Sequence, residues 1–466
     1  LFRQIAARAV YQGIVKYHAA GDGTPTRLLP EPPERLMVRN SGPGQVTVSW
    51  APPPCCDGAT GDAATGYKVY HSTNGRAFDD GLVTASTSAT ISGLAAGSLH
   101  FFRVAALNEG GESFATPVVA VRTALAGSPV PFLIVDGFDR LDQSALVPLW
   151  ESAALGTAQR MFLERMNAYS YAVEHGRALS SCGLAFDGAV NEAVEAGDLA
   201  LAAYQAVDWF TGEDSLVDVS LNSLERALLR DYLDGGGRLL LSGSEIGYDL
   251  VEQGRDPAFY RDYLRATYLG DSAGTYDFAG LVGAPFEGLL GRFDDGNGSI
   301  YAVGYPDRLG NTTGSTPALA YLGGTADGAG VAYADGARVI YIGFPIEAIV
   351  DSGLRQSLVC AAAEYLLDGP QSLGAQRLIN PGFEGATVQS AWQIQAPGGV
   401  SALAHRDSLP PYVEPFDGNW LAWLGGYTPG NPTSVALTQT VALPSGEPEA
   451  TLSLAWFAQP AQNPGN

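Results

Sequence analysis

Lysine is almost absent from this chain. Of its 466 residues 26 are basic, and only Lys16 and Lys68 are lysines, against 49 acidic residues and a formal charge of −23. Such a deficit of cations excludes nucleic acid or an anionic membrane surface as the main partner, because both need a basic patch to meet a dense negative charge. The bias toward arginine is assigned to the base composition of the gene and to no site. Long apolar runs are missing too: no stretch approaches the roughly 20 residues of a membrane span, so no membrane insertion is expected. Cysteine is scarce, with four residues in all. Cys55 and Cys56 are neighbours in a loop, where a vicinal bridge is one reading, while Cys182 and Cys360 read as small buried residues. Their spacing gives no CxxC metal pattern and fixes no disulfide pairing. There is no Arg-Gly-Asp, which removes that adhesion signal.

What is present is globular: 46% of the residues are hydrophobic, and the length suffices for three or four domains. The most informative stretch is Gly243-Ser244-Glu245-Ile246-Gly247. Leu239, Leu240 and Leu241 before it follow a Gly-Gly-Gly break and read as a buried strand. The turn after them reads as a strand-to-helix elbow, with small residues on both sides of its apex, Glu245. Asn222 and Glu225 form a capping box for the preceding helix, whose stripe is Leu224, Leu228, Leu229 and Leu233 and whose end is Gly235 to Gly237. Short apolar runs at 132–135, 205–210 and 338–343, and a last helix at about 354–367, complete an alternation of strands and helices. That alternation predicts a parallel sheet with ligand sites at its carboxyl ends.

On these residues the region 129–370 resembles the class I glutamine amidotransferase-like fold, an α/β parallel-sheet domain of flavodoxin-like type. That family has Gly-x-Cys-x-Gly at the elbow and Phe-His-Pro-Glu after a late strand. Here Glu245 stands at the apex, and the late motif reads Phe344-Pro345-Ile346-Glu347, so only Glu347 of the triad matches. Without thiolate and imidazole, acyl transfer from an amide lacks its nucleophile and its proton carrier. Two readings of Glu245 stand side by side: a carboxylate paired with a helix dipole and backbone amides, or a base working with Ser244 and His175, the one histidine of this region. His175 is expected near the end of a helix carrying Met161, Leu163, Met166 and Tyr169. Asp187, Asn191 and Glu192 read either as lining the same crevice or as turns and caps.

The flanking segments are modular. Ile5, Ala6, Ala9, Val10, Ile14 and Tyr17 recur at helical spacing, and the stretch 1–20 resembles the last helix of zinc-dependent N-acetylmuramoyl-L-alanine amidases. Zinc ligands would then lie only in an upstream domain that this sequence lacks. A proline-rich linker occupies 21–33. Alternating strands around Val46 to Trp50, Tyr67 to Tyr70, Ala89 to Ile91 and His100 to Ala105, with Trp50 as core tryptophan, make 34–124 resemble a fibronectin type III β-sandwich. In it His100 stands at the usual corner tyrosine. Residues 376–466, through Asn380, Phe383, Glu384, Trp392, Trp420, Trp423 and Leu437 to Val441, resemble the opening part of a carbohydrate-binding-module jelly roll. That resemblance implies Glu384, with Asp417, as candidate ligands of a structural calcium. It also implies sugar stacking by Trp392, Trp420, Trp423 or Tyr427.

The module order implies a secreted, periplasmic or cell-surface bacterial protein. This segment is then a non-catalytic spacer and attachment region for peptidoglycan or another polysaccharide, with hydrolysis done upstream by the amidase domain. Two other expectations compete with it: a hydrolase of glycans or esters centred on the Glu245 crevice, and a purely structural extracellular array.

Overall fold

The computed structural model describes residues 2–140, 147–160, 168–215, 219–297 and 300–367, and four three-residue strands beyond them. Helix α1 (Phe2–Asp22) leads into eight strands: β1 (Glu34–Gly42), β2 (Gln45–Ala51), β3 (Gly66–Ser72), β4 (Leu82–Thr84), β5 (Ser88–Ser92), β6 (Leu99–Asn108), β7 (Gly111–Ala115) and β8 (Val119–Arg122). They pair antiparallel into a sandwich, because alternate residues such as Val46, Val48 and Trp50 are buried while their neighbours are only partly covered. Trp50 packs edge-on against Tyr67 at 5.4 Å. His100 uses both ring nitrogens at the corner, one to His71 at 2.9 Å and one to Ser98 Oγ at 2.7 Å. Burial, together with His71, pushes its pKa down to about 4.

The second half contains five parallel strands: β9 (Phe132–Asp136), β12 (Phe186–Val190), β13 (Ala206–Phe210), β14 (Arg238–Ser242) and β21 (Ala337–Ile342). The hairpin β10 (Val147–Ser152) and β11 (Gly156–Arg160) falls between the first two. In space the order is β12-β9-β13-β14-β21. Numbered along the chain this is 2-1-3-4-5, the flavodoxin-like doubly wound arrangement. Phe132 and Ile134 point into one hydrophobic cluster and Leu133 and Val135 into another, so both faces are covered and the strand is apolar throughout. Helices α2 (Ala172–Ser181) and α6 (Ser352–Leu366) cover one face. Helix α4 (Ser223–Asp234), with the short α3 (Asn191–Glu195) beside it, covers the other, and the expected capping box of Asn222 and Glu225 is formed.

Several expectations are corrected. The chain enters α2 only at Ala172, so His175 lies in the helix's first turns; Tyr169 has a left-handed φ of 53°, which keeps it outside, and Met161, Leu163 and Met166 lie outside the described residues. Asp187 belongs to a strand and Asn191 and Glu192 to a helix, since the short run from Phe186 to Val190 is a sheet strand buried along its length. Cys182 and Cys360 form a disulfide with a Cα–Cα distance of 5.4 Å, tying the end of α2 to α6 across 178 residues of sequence. A loop of that length makes the crosslink worth about 5 kcal/mol in the chain-entropy account. Cys55 and Cys56 are both exposed and unbridged.

An antiparallel extension missing from the sequence reading lies between β14 and β21. After α5 (Pro257–Asp262) come β15 (Ala266–Gly270), β16 (Asp277–Gly280), β17 (Leu290–Arg292), β18 (Arg308–Asn311), β19 (Thr316–Tyr321) and β20 (Gly328–Asp335). The last of these pairs antiparallel with β21. Its strands carry many glycines and short apolar stretches, which hide the period-2 pattern. Farther on, β22 (Gln393–Gln395) pairs with β25 (Ala436–Thr438) and β23 (Leu403–His405) with β24 (Trp420–Ala422), both antiparallel.

The two halves are not strung on a flexible joint. The outer edge of β12 is shared by two sandwich strands: Met37 and Val38 of β1 pair with Ala189 and Gly188, and Arg122 of β8 pairs with Phe186. A Cβ at Gly188 would stand 2.3 Å from the Ala120 carbonyl oxygen, so glycine is required for the two backbones to come this close. Asn40 seals the seam. Its backbone and side-chain N–H groups donate to Asp187 at 2.8 and 2.9 Å, its side chain also donates to the carbonyls of Arg122 and Phe186, and its Oδ1 accepts from Ala124 N at 2.8 Å. Tyr204 donates to the other Asp187 oxygen at 2.8 Å. One hydrophobic cluster runs unbroken from Val46 and Trp50 of the sandwich to Leu229 and Leu233 of α4.

Candidate functional site

The carboxyl ends of the parallel strands bring four loops together. They follow Asp136, Phe210, Ser242 and Ile342, the last residues of β9, β13, β14 and β21. The apex of the expected elbow is there: Glu245 takes a left-handed φ of 62°, rare for a residue with a Cβ and characteristic of a strained turn at a site. Gly243 before it permits the bend, since a Cβ there would meet Thr211 Oγ1 at 2.1 Å. A π-helical turn, Tyr248–Glu252, follows.

The Glu245 carboxylate accepts a hydrogen bond from Ser215 Oγ, a partner five residues beyond the aromatic end of β13 that the sequence reading missed. Burial raises its pKa, the Ser215 bond opposes the rise, and Asp271 adds to it. Ser244 points away from this carboxylate: its N–H donates to Gly212 O at 2.8 Å and its hydroxyl to the same oxygen at 3.4 Å. The amide of Gly247, two residues past the apex, donates to Asp307 Oδ2 at 2.5 Å. Burial pushes Asp307 up to about 7 against the opposing bonds of Gly247 and Tyr341.

His175 is elsewhere. It is fully buried, with Nδ1 2.8 Å from Asp208 and Nε2 3.2 Å from Glu347, and the Phe210 ring stacks on it at 4.1 Å. Tyr301 donates to the other Glu347 oxygen at 2.8 Å. Burial alone would lower the His175 pKa; the charges and hydrogen bonds of Asp208 and Glu347 outweigh it and raise the value to about 10, so the ring is an imidazolium at neutral pH. Both nitrogens are engaged, and the ring has none left to serve Ser244 or Glu245. Of the three candidates, then, Glu245 and Ser244 share a turn without sharing a hydrogen bond, and His175 belongs to a separate cluster with Glu347. Asp208 was legible in principle: an acid inside the run Ala206 to Phe210 must be paired when the strand is buried.

The crevice at the switch point between β9 and β13 is filled by the protein itself. Gly137 N donates to Phe210 O at 3.0 Å, and the amides of Asp139 and Arg140 donate to the Asp214 carboxylate at 3.1 and 2.8 Å. Phe138, in the loop after β9, packs with Tyr171 and Tyr301 in a cluster of three rings whose centroids are 5.1 to 5.8 Å apart, one pair stacked, one tilted and one edge-on. Glu213, in the loop after β13, accepts from Gly304 N and is pushed up to about 8 by burial. Among the described residues no group of acidic, histidine or cysteine side chains is placed to hold a metal ion. The glycan and calcium candidates Trp392, Trp423, Tyr427, Glu384 and Asp417 lie outside the described residues, as does the side chain of Trp420, which falls in β24.

These raised carboxyls set a pH dependence. A carboxyl whose folded pKa exceeds its unfolded value contributes stability at low pH and loses it as the pH climbs through the folded value. Glu213, near 8, and Asp307 and Glu225, each near 7, therefore all act in the window from about 4.5 to 8. The midpoint of urea unfolding is expected to be lower at pH 8 than at pH 5. An equal or higher midpoint at pH 8 would mean these groups do not govern the fold.

Comparison with known proteins bears on the first half. The fibronectin type III domain family matches residues 31–122, so the chain contains such a domain. A stretch of 95 residues is 35% identical to Neogenin of Homo sapiens, spanning 20% of this chain and only 6% of that protein's length. Among solved structures, the twitchin kinase region from C. elegans is 31% identical over 21% of this chain and 17% of that one, with a TM-score of 0.19. The FN5 domain of Drosophila Lar is 19% identical over 21% of this chain and all of that one, with a TM-score of 0.17.

Proposed function

We propose that residues 31–367 are a non-catalytic scaffold of a secreted protein that acts on polysaccharide, with residues 376–466 as the attachment region for peptidoglycan or another glycan and hydrolysis carried by an upstream zinc-dependent amidase domain. One observation carries the non-catalytic part: the place where a doubly wound sheet takes its ligand is occupied by the chain's own groups. His175 is locked between two carboxylates, Glu245 is bonded to Ser215, and the loops after β9 and β13 are bonded to each other through Gly137, Asp139 and Arg140. An extracellular setting is supported by the fibronectin type III domain and by the Cys182–Cys360 disulfide, which suits an oxidising compartment.

A second reading has its own support, the left-handed backbone at Glu245 with its raised carboxyl. It makes Glu245 the base of a glycan or ester hydrolase. One pair of assays separates the two. On the scaffold reading the chain sediments with insoluble peptidoglycan or another glycan and shows no turnover of glycan or ester substrates. Failure to bind any glycan ends the attachment role. A wild-type turnover that disappears in a folded Glu245→Gln chain moves the function to the crevice.

A further inference from the structure

Two of the four cysteines are spent in the Cys182–Cys360 bridge. Cys55 and Cys56 are the other two, both exposed and both free, so the one free thiol left to either within the chain is its neighbour's. They stand in the loop between β2 and β3, directly after Pro52, Pro53 and Pro54, a run that holds the backbone extended. The loop beyond them is fastened down. Cys56 N donates to Gly61 O at 3.2 Å, and the Asp57 carboxylate accepts from the amides of Ala59 and Thr60 at 2.9 and 2.8 Å. Glu31 accepts from Gly61 N at 3.0 Å, Asp62 accepts from Leu28 N at 2.8 Å, and the Gln12 side chain of α1 donates to the carbonyls of Ala59 and Thr60. The two sulfurs are in contact. The Cys55 pKa is raised, first by a hydrogen bond with the Cys56 thiol and then by desolvation, with Cys56, Asp57 and Asp62 adding their charge.

Adjacency decides what such a pair can do. Neighbouring Cα atoms across a trans peptide stand about 3.8 Å apart, closer than the window of about 4.4–6.8 Å that relaxed disulfides keep. Cys182 and Cys360, at 5.4 Å, lie inside that window and form a structural crosslink. A bridge between Cys55 and Cys56 would instead be strained and exposed, the combination that makes a disulfide easy to reduce and suits it to exchange. The same closeness makes the pair quick to resolve an adduct, because the second sulfur attacks without having to diffuse.

We propose that Cys55 and Cys56 are a two-electron thiol–disulfide exchange site whose substrates are small-molecule disulfides and thiols. In the oxidising direction one cysteine thiolate attacks a sulfur of the incoming disulfide, forms a mixed disulfide and expels the first small thiolate. The second cysteine, deprotonated in turn, attacks the protein sulfur of that mixed disulfide, closes the Cys55–Cys56 bond and expels the other. The two protons lost by the cysteines go to the two released thiolates, so one disulfide is reduced to two thiols while the dithiol becomes a disulfide. Small thiols reverse the sequence. This site is independent of the Glu245 crevice and of the glycan reading.

The test uses the full chain, equilibrated with mixtures of reduced and oxidised glutathione, quenched with an alkylating reagent and analysed by peptide mass spectrometry. As the mixture becomes more oxidising, the peptide carrying both cysteines should change from doubly alkylated to unalkylated and lighter by two hydrogen atoms, while Cys182–Cys360 stays closed throughout. The rate should climb between about pH 6 and about pH 9, since the thiolate is the attacking form. In Cys55→Ser and Cys56→Ser chains, with melting temperatures unchanged because both positions are exposed, the bridge should be lost and a glutathione adduct should accumulate in its place. A wild-type peptide that remains doubly alkylated in oxidised glutathione alone, that stops at a stable glutathione adduct, or that is linked to a second chain would each overturn the assignment. So would a Cys182–Cys360 bond that opens under milder reduction than the Cys55–Cys56 bond.

Discussion

Excision of residues 31–122 is expected to leave the α/β half unable to fold cooperatively. Fibronectin type III modules commonly behave as beads joined by linkers, and a bead can be removed without harm to its neighbour. Here removal would strip the outer edge of β12, where Met37, Val38 and Arg122 pair with Ala189, Gly188 and Phe186. It would also open the continuous cluster in which Leu133, Val135 and Ala189 share a core with Val38 and Val48. A bare, apolar parallel-sheet edge has no natural cover in water and is prone to associate. In circular dichroism, the full chain should melt both halves in one transition, while a chain starting at residue 124 should show no cooperative melt or should aggregate. A point variant makes the same case without deletion. Gly188→Val places two methyl groups against the Ala120 backbone, where even a Cβ would stand at 2.3 Å, and is expected to cost about 3 kcal/mol or more. A shortened chain that melts as sharply as the whole would return the sandwich to the role of spacer.

Replacement of His175 should be the most damaging single change in the α/β half. Among the described residues the imidazolium is the one cation hydrogen-bonded to the carboxylates of Asp208 and Glu347, and its removal by His175→Leu leaves two buried carboxylates without it. Breaking a buried ion pair from one side costs about 3–5 kcal/mol. The linked pH behaviour follows from the raised value near 10: the stabilisation is complete below the unfolded histidine value of about 6.5 and is lost as the pH rises through 10. Urea unfolding of wild type and variant at pH 6 should therefore differ by the full amount, and the gap should narrow by pH 10. A variant within about 1 kcal/mol of wild type at pH 6 would show that the cluster is not held together by charge.

The parallel strands were legible because burial on both faces makes them short apolar runs, and the capping box at Asn222 marked the start of α4 directly. β12 was hidden by its composition: Phe186, Asp187, Gly188, Ala189 and Val190 offer an acid and a glycine in the middle. Both have reasons that only the partner strands reveal. Asp187 answers Asn40 and Tyr204, and Gly188 makes room for Ala120. The elbow could be found because its backbone demands small residues around the apex. What the apex does could not, since Ser215 reaches it, and Asp307 reaches Gly247 beside it, from loops 30 and more residues away, and no spacing rule links them. Leu224 shows the opposite failure. Helical periodicity assigned it to the core, but it stands in the first turn of α4 and is 46% exposed.

The seam between β1 and β12 also orders events in time. Synthesis delivers the sandwich first, and its strands pair largely with near neighbours in sequence, as β1 does with β2 and β6 with β7. Domains made first fold first. When residues 186–190 leave the ribosome, a finished edge is already waiting to receive them, and the parallel sheet can grow inward from that template. β21 and α6 arrive some 150 residues later, and with them Cys360, whose bond to Cys182 joins α6 to the end of α2. The crosslink therefore becomes available only once this last helix has been made, at the opposite end of synthesis from the seam that began the sheet.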